Sequence, residues 1–396
     1  MTAQVEEYEF RYYSASGDYR FSISSYYNIE FWVAEKEVGS LVIDLPESYG
    51  DEIEPFLEED GIFEIYRETS QGKRLLFGKR FFLALWRPKT DESGLKFMRL
   101  RCLGCNNIID RRIVYYTTGS DETIIDDLPA DDAVKKIMRE NFGSDAEEYR
   151  DVSDYLLIEG NLGLAPNIDY DGFEYQKVLP LLRSLCDASY SENGVYLTFD
   201  VKWIPESKKY IFSTYVDQLG VNKGIFGKDT LYLTTSDGDQ EVDSGGLSYA
   251  SVAVDGSDRR TAVYAGGQLV TYSEGTDEEY EERIIKEAYD QDKIDKTPFG
   301  LWEDWQDARE SADEDVIQKI ADARLEEWKT KIVVNGHMSD AFTRFFGIEF
   351  DWGDIVAFKY KKYAYDVHIS RVLFSLTGDG KKEIRIKTRN MKEEYY

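Results

Sequence analysis

Chemistry in a protein begins with a short list of side chains, and in this 396-residue sequence that list is thin. Histidine occurs only at His337 and His368, and no H-E-x-x-H pair, Walker loop, dinucleotide-binding glycine pattern or G-x-S-x-G elbow accompanies them. His337 falls in Asn335-Gly336-His337, which reads as a turn, and His368 falls in a strand between Val367 and Ile369. A lone imidazole in either setting more often completes local hydrogen bonding than holds a metal. The cysteines, Cys102, Cys105 and Cys186, are odd in number and form neither a disulfide framework nor a four-ligand zinc set. Cys102-Leu103-Gly104-Cys105 is a C-x-x-C, but it lacks a thioredoxin-like context and further ligands, so buried, reduced thiols are expected. Paired carboxylates would suit glycoside hydrolysis, yet with 77 acidic residues every spacing occurs and no pair stands out. Asp121-Glu122, Asp126-Asp127 and Asp237-Gly238-Asp239 do not follow the EF-hand pattern with its terminal Glu and read as solvated loops. No catalytic, metal-binding or cofactor-binding residue is nominated, no cofactor is expected, and the chain reads as a protein other than an enzyme.

Lys and Arg total 48 against 77 Asp and Glu, a formal charge of −29, which opposes binding to DNA phosphates or to an anionic membrane surface. The same sign of charge suits the wall of a conduit through which DNA passes without sticking. Apolar residues make up 42% and aromatics 14%, enough to bury a core, and the length calls for several packed domains. No window approaches the roughly 18 apolar residues of a membrane-spanning helix. The segment Met1-Thr2-Ala3-Gln4-Val5-Glu6-Glu7 has no basic stretch followed by an apolar one, so neither membrane insertion nor conventional secretion is expected.

The first third reads as antiparallel strands: Asn28 to Val33 with Leu41 to Leu45 as a hairpin, then Ile62 to Arg67, Leu75 to Trp86, Leu95 to Leu103 and Arg112 to Thr117. After Pro129 the spacing of Val134, Ile137, Met138 and Phe142 predicts a helix over Asp131 to Phe142. A second helix is predicted over Val178 to Ser189, with Pro180 in its first turn, followed by strands Val195 to Trp203 and Lys209 to Val216. Strands resume from Val221 to Tyr272, with Val252, Val254, Val263 and Leu269 pointing inward and Asp237-Gly238 and Gly245-Gly246 as turns. Thr276 to Lys331 reads as helical, with Ile317, Ala321, Leu325 and Trp328 forming one buried stripe. The end returns to strands at Ile355 to Lys361, Ala364 to His368, Val372 to Leu376 and Glu383 to Lys387.

The order of these pieces resembles siphophage tail-hub proteins. The resemblance is carried by Trp32 with Gly39-Ser40-Leu41-Val42-Ile43-Asp44-Leu45-Pro46, by Gly61-Ile62-Phe63-Glu64-Ile65-Tyr66-Arg67 and by Leu76-Phe77-Gly78. It continues through Cys102-Leu103-Gly104, Arg111-Arg112-Ile113-Val114, Ala133 to Gly143 and Arg150, and closes on Phe350-Asp351-Trp352-Gly353-Asp354-Ile355-Val356. Val221 to Tyr272 matches least. The resemblance implies an α+β, β-rich chain with two tail-tube-like β-barrels, at 1–118 and 218–275, the second stretch reading alternatively as strands that return to the first barrel. Around them it implies an α+β insertion at 119–217, a helical segment at 276–334 and a C-terminal β-domain at 335–396. It further implies a homotrimer at the tip of the virion's tail, adapting a sixfold tube or distal-tail ring to a threefold fibre or spike. Its implied partners are the distal tail protein, the tape-measure protein and the fibre or spike, with DNA passing through the channel. Two other classes stand beside this reading. One is a glycan-binding β-module using aromatics such as Trp302 and Trp305, and the other is a carboxylate-dependent glycan hydrolase.

Overall fold

Apolar alternation builds the largest element. In Asn28–Ala34, Ile29, Phe31 and Val33 point inward, and in Ser40–Pro46, Leu41, Ile43 and Leu45 do the same, so the two strands pair with one shared buried face. The structure, a computed structural model, describes residues 7–69, 72–115, 125–170, 175–224, 232–234, 247–255, 259–273, 279–309, 314–328, 331–338, 350–360 and 363–390. Around this hairpin a 14-stranded sheet extends in both directions. On one side lie Lys96–Gly104, Gly72–Thr90, Ile62–Thr69, Glu7–Tyr13 and Tyr19–Ser22. On the other lie Tyr363–Thr377, Lys382–Asn390, Lys331–Met338 and Leu247–Asp255, with Ile355–Tyr360 branching off to pair with Asn222–Lys223 and Tyr232–Thr234.

Several sequence expectations are corrected here. Residues 335–396 do not make a separate β-domain: Tyr363–Thr377 pairs antiparallel with Asn28–Ala34, and Phe374 stacks on Phe31 at 4.7 Å. Both strands carry an apolar face and a free row of backbone groups, and pairing satisfies both at once. Among the described residues no closed barrel forms. Among the described residues the strands of Val221 to Tyr272 do not close into a second barrel: Asn222–Lys223 and Tyr232–Thr234 return to the large sheet in parallel with Ile355–Tyr360, Leu247–Asp255 returns to it beside Lys331–Met338, and Ala262–Ser273 joins a separate three-stranded sheet. One buried cluster runs through both wings of the sheet, from Phe10 and Phe31 to Val372 and Ile386. Ala364 to His368 and Val372 to Leu376 are one strand with an irregularity at Ile369/Arg371. Glu7–Tyr13 pairs with Ile62–Thr69 and adds a strand to those expected. Arg112 to Thr117 is not a strand as far as it is described, since Ile113 makes a single bridge to Lys177 and residues 116–117 lie outside the described residues.

The α+β unit follows its sequence closely. Helix Ala130–Phe142 buries Val134, Ile137, Met138 and Phe142 against helix Val178–Asn193, which carries Pro180 in its first turn. Strands Leu197–Ile204 and Lys209–Val216 pair beside them, with Leu156–Ile158 added in parallel. At the start of the first helix, Asp131 accepts from the backbone N–H groups of Leu164 and Ala165 at 3.0 Å, while buried Lys135 sits 3.6 Å from Asp131 and donates to the Gly160 carbonyl. At its other end Arg112 donates to the carbonyls of Asn141 and Arg150, satisfying a helix terminus that would otherwise lack partners.

Thr276 to Lys331 is the largest departure. Glu279–Tyr289 is a strand, paired with Ala262–Ser273, which pairs in parallel with Glu303–Asp307. Helix Glu314–Glu327 covers one face of this sheet with Ile317, Ala321 and Leu325, packed on Val263, Ala265 and Ala288.

Candidate functional site

Two places combine charge with shape. The first is the junction between the large sheet and the α+β unit. Lys79 pairs with Asp200 and donates to the Val201 carbonyl at 2.8 Å, both side chains being buried. Arg80 donates to Glu64 at 2.6 Å, and its guanidinium lies 3.3 Å from the centre of the Trp203 ring. Asn106 bridges the Glu37 carbonyl and the Val201 N–H, and Tyr196 donates to Glu35 at 2.6 Å. These bonds clamp the units together. They leave a cleft of about 300 Å³ lined by Arg74, Lys202, Trp203, Leu219, Asp351 and Trp352.

Asp351 is the unusual group in that cleft. Burial pushes its carboxyl up to about 7, the nearby Asp354 adding to the rise and Arg74 and Lys202 opposing it. Burial also raises Asp354, against the Val221 and Asp351 backbone N–H groups that donate to it at 2.6 and 2.9 Å. Burial works against the charge of Lys202, but Asp200 and Tyr215 outweigh it and hold its pKa above the ordinary value. Arg74 and Lys202 can meet an anion and Asp351 can exchange a proton near neutral pH.

The second place is the face of the small sheet that helix Glu314–Glu327 leaves uncovered. Register places Tyr289, Ala262 and Glu303 in one row across the three strands, Glu287, Tyr264 and Trp305 in the next, and Ile285, Gly266 and Asp307 in the third. Trp305 is 50% exposed and Ile285 48%. Trp302 and Trp305, expected in a helical stretch, thus stand at and on an edge strand, Trp305 with an open ring and Trp302 with the Arg259 guanidinium 4.9 Å from its ring centre. Leu269, expected inside, is 51% exposed.

The remaining sequence candidates are scattered. Cys102, Cys105 and Cys186 are free and buried; burial raises the thiols of Cys102 and Cys105 and pushes that of Cys186 up to about 12. Cys105 accepts from the Arg80 N–H and donates to the Arg80 carbonyl, a packing role. His368 is buried with Nε2 2.9 Å from Glu35, where no solvent reaches it. His337 lies in a strand and not a turn, 3.0 Å from Glu383. Asp126 and Asp127 lie in a short strand, and the other two acidic stretches, with the turns at 237–238 and 245–246, fall outside the described residues. Among the described residues no group of three His, Cys, Asp or Glu could hold a metal ion, and no helix is long and apolar enough to cross a membrane.

No protein-family model and no curated protein sequence matches the chain. Solved structures do. A 43 kDa tail protein of prophage MuSo2 from Shewanella oneidensis superposes with a TM-score of 0.60 at 11% identity, covering 96% of this chain and 98% of its own. A tail protein from Neisseria meningitidis MC58 gives 0.58 at 10% identity, covering 97% and 96%, and a prophage tail protein from Listeria monocytogenes EGD-e gives 0.50 at 12%, covering 97% and 95%. The chain has the fold of phage tail proteins. Identity at this level speaks for backbone architecture and not for the chemistry of a surface.

Proposed function

We propose that the chain is a structural, non-enzymatic subunit of a phage tail that acts as the hub at its distal end. The observation that carries this is the extent of the fold match: tail proteins and this chain cover 95% or more of each other. In this reading three copies form a ring, each contributing the two wings of its large sheet, so that a threefold assembly offers six similar segments to a sixfold tube. The path of that sheet ends on Leu247–Asp255 at one side and Tyr19–Ser22 at the other, and a neighbouring copy is the natural way to occupy such edges. The net charge of −29 suits a channel wall that lets DNA pass without holding it. The distal tail protein, the tape-measure protein and a fibre or spike are the partners this position supplies.

The test is the solution mass by light scattering over a concentration series, run with a glycan-release assay on the same sample. A mass three times that of the chain and no released product are expected. A monomer that releases product would overturn the reading.

A further inference from the structure

The open face of the small sheet carries chemistry that assembly of the large sheet does not use. It lies in the unit spanning 259–328, whose three strands form a sheet separate from the large one. Trp305 lies flat over Gly266, where an added Cβ would come within 2.2 Å of its Cζ2, so the glycine lets the indole lie down with its outer side open. Tyr264 and Tyr289 meet edge to face, ring centres 6.0 Å apart at 85°. Tyr264 donates to Glu303 at 3.0 Å and Tyr289 donates to Glu287. Among the described residues these are the only side-chain partners of the two carboxylates, and neither meets a Lys or Arg head group. The cations of the same face have partners of their own on it: Arg309 donates to Asp307 at 2.7 Å, and Arg283 donates to the Gly267 carbonyl at 3.1 Å. Ile285 and Leu269 complete the surface with exposed aliphatic area.

We propose that this face docks a cationic, partly apolar segment of a partner protein. Its Lys or Arg head groups lie between Glu287 and Glu303 over the tyrosine rings, and its aliphatic side chains lie against Ile285, Leu269 and Trp305. The choice of occupant rests on charge complementarity. Two carboxylates without cations, beside open aromatic rings, attract ammonium and guanidinium groups through both charge and the ring quadrupole. A second copy meeting this face with its own would set Glu287 and Glu303 against like charges. Nucleic acid is repelled by the same groups. A neutral glycan could stack on Trp305, but it would leave both carboxylates without a counter-charge and has no use for Ile285 and Leu269. The proposal stands apart from the hub reading.

The experiment uses the full chain and a fluorescent peptide of alternating leucine and Lys/Arg, read by anisotropy, beside a twin with glutamate at the basic positions. Binding of the basic peptide alone is expected, weakened about tenfold or more by Glu287→Gln with Glu303→Gln and by Trp305→Ala. The charge-matched pair Glu52→Gln with Glu59→Gln, on exposed residues elsewhere, is expected to leave it unchanged. Equal weakening by that control pair would show general attraction to an acidic protein and overturn the proposal. So would displacement of the peptide by maltoheptaose, which would assign the face to a glycan. A change of oligomeric mass in Trp305→Ala would assign it to a second copy and overturn it equally.

Discussion

Two aromatic clusters in this molecule, one of phenylalanines alone and one of tyrosines with a tryptophan, have opposite fates. At the seam of the large sheet, Phe31 and Phe374 stack at 4.7 Å, with Phe77 and Phe81 within 6.2 Å of Phe31, and all four are buried. On the small sheet, Tyr264, Tyr289 and Trp305 are also cross-strand neighbours, yet Tyr289 and Trp305 stand 44% and 50% exposed. The difference is one of layers. The seam is packed within a core that both wings of the sheet share, whereas the small sheet has a helix on one side only. Aromatic density alone thus does not mark a core; what lies across from it does. The first cluster should govern folding and the second should govern contact with something outside the chain.

The largest effect should come from the seam. Phe374→Ala removes a ring with under 2% exposure from the join between the two wings, and a loss of about 3–5 kcal/mol is expected in urea unfolding. If the loss were under about 1 kcal/mol, the join would not be the structural centre argued here. The junction with the α+β unit comes next. Lys79→Met strands Asp200, whose Oδ2 already lacks a hydrogen-bond partner, and should cost about 3–5 kcal/mol. Adding Asp200→Leu should restore part of it, because both charges then leave the interior. Failure of the double variant to recover would mean that the pair holds geometry that apolar side chains cannot.

Asp351 tests the cleft through pH. Its carboxyl titrates near 7 in the folded chain against roughly 3.9 in an unfolded one, so between those values the folded state holds a proton that the unfolded state has released. Its contribution to stability is therefore full at the acid end, falls as pH rises through that window and is gone above about 7. Relative to the parent, Asp351→Asn should gain about 1–3 kcal/mol at pH 8 and little at pH 4. A difference that stays flat with pH would place the carboxyl in its ordinary range.

The sequence made much of the large sheet legible, because Ile29, Phe31 and Val33 and their partners Leu41, Ile43 and Leu45 alternate cleanly. The helix Ala130–Phe142 was legible for the matching reason of helical spacing. The pairing of Asn28–Ala34 with Tyr363–Thr377 was not, since contact between segments so far apart leaves no local trace. Glu279–Tyr289 misled for a definite cause. Ile284 and Ala288 sit four apart, a spacing that suits one helix face and one strand face equally, amid helix-favouring Glu and Lys. Leu269 has the parity of Val263, which in an unbroken strand would point it inward. The irregularity between Gly266 and Leu269 shifts that parity and sets Leu269 opposite Arg283 on the open face. Glu303 to Asp307 alternates only among polar residues and Trp305, so nothing in that stretch announced a strand or a surface.

The smallest expected effect is the most discriminating. Trp305→Ala removes a ring half open to solvent from an edge strand, and if the face is built for contact and not for folding the cost should stay under about 1 kcal/mol. Thermal unfolding beside Phe374→Ala reads the contrast directly. A loss comparable to that of Phe374→Ala would mean that the indole over Gly266 is a structural lid on the small sheet. The two clusters would then differ in exposure alone, and the reason for treating the open face as a docking surface would go with it.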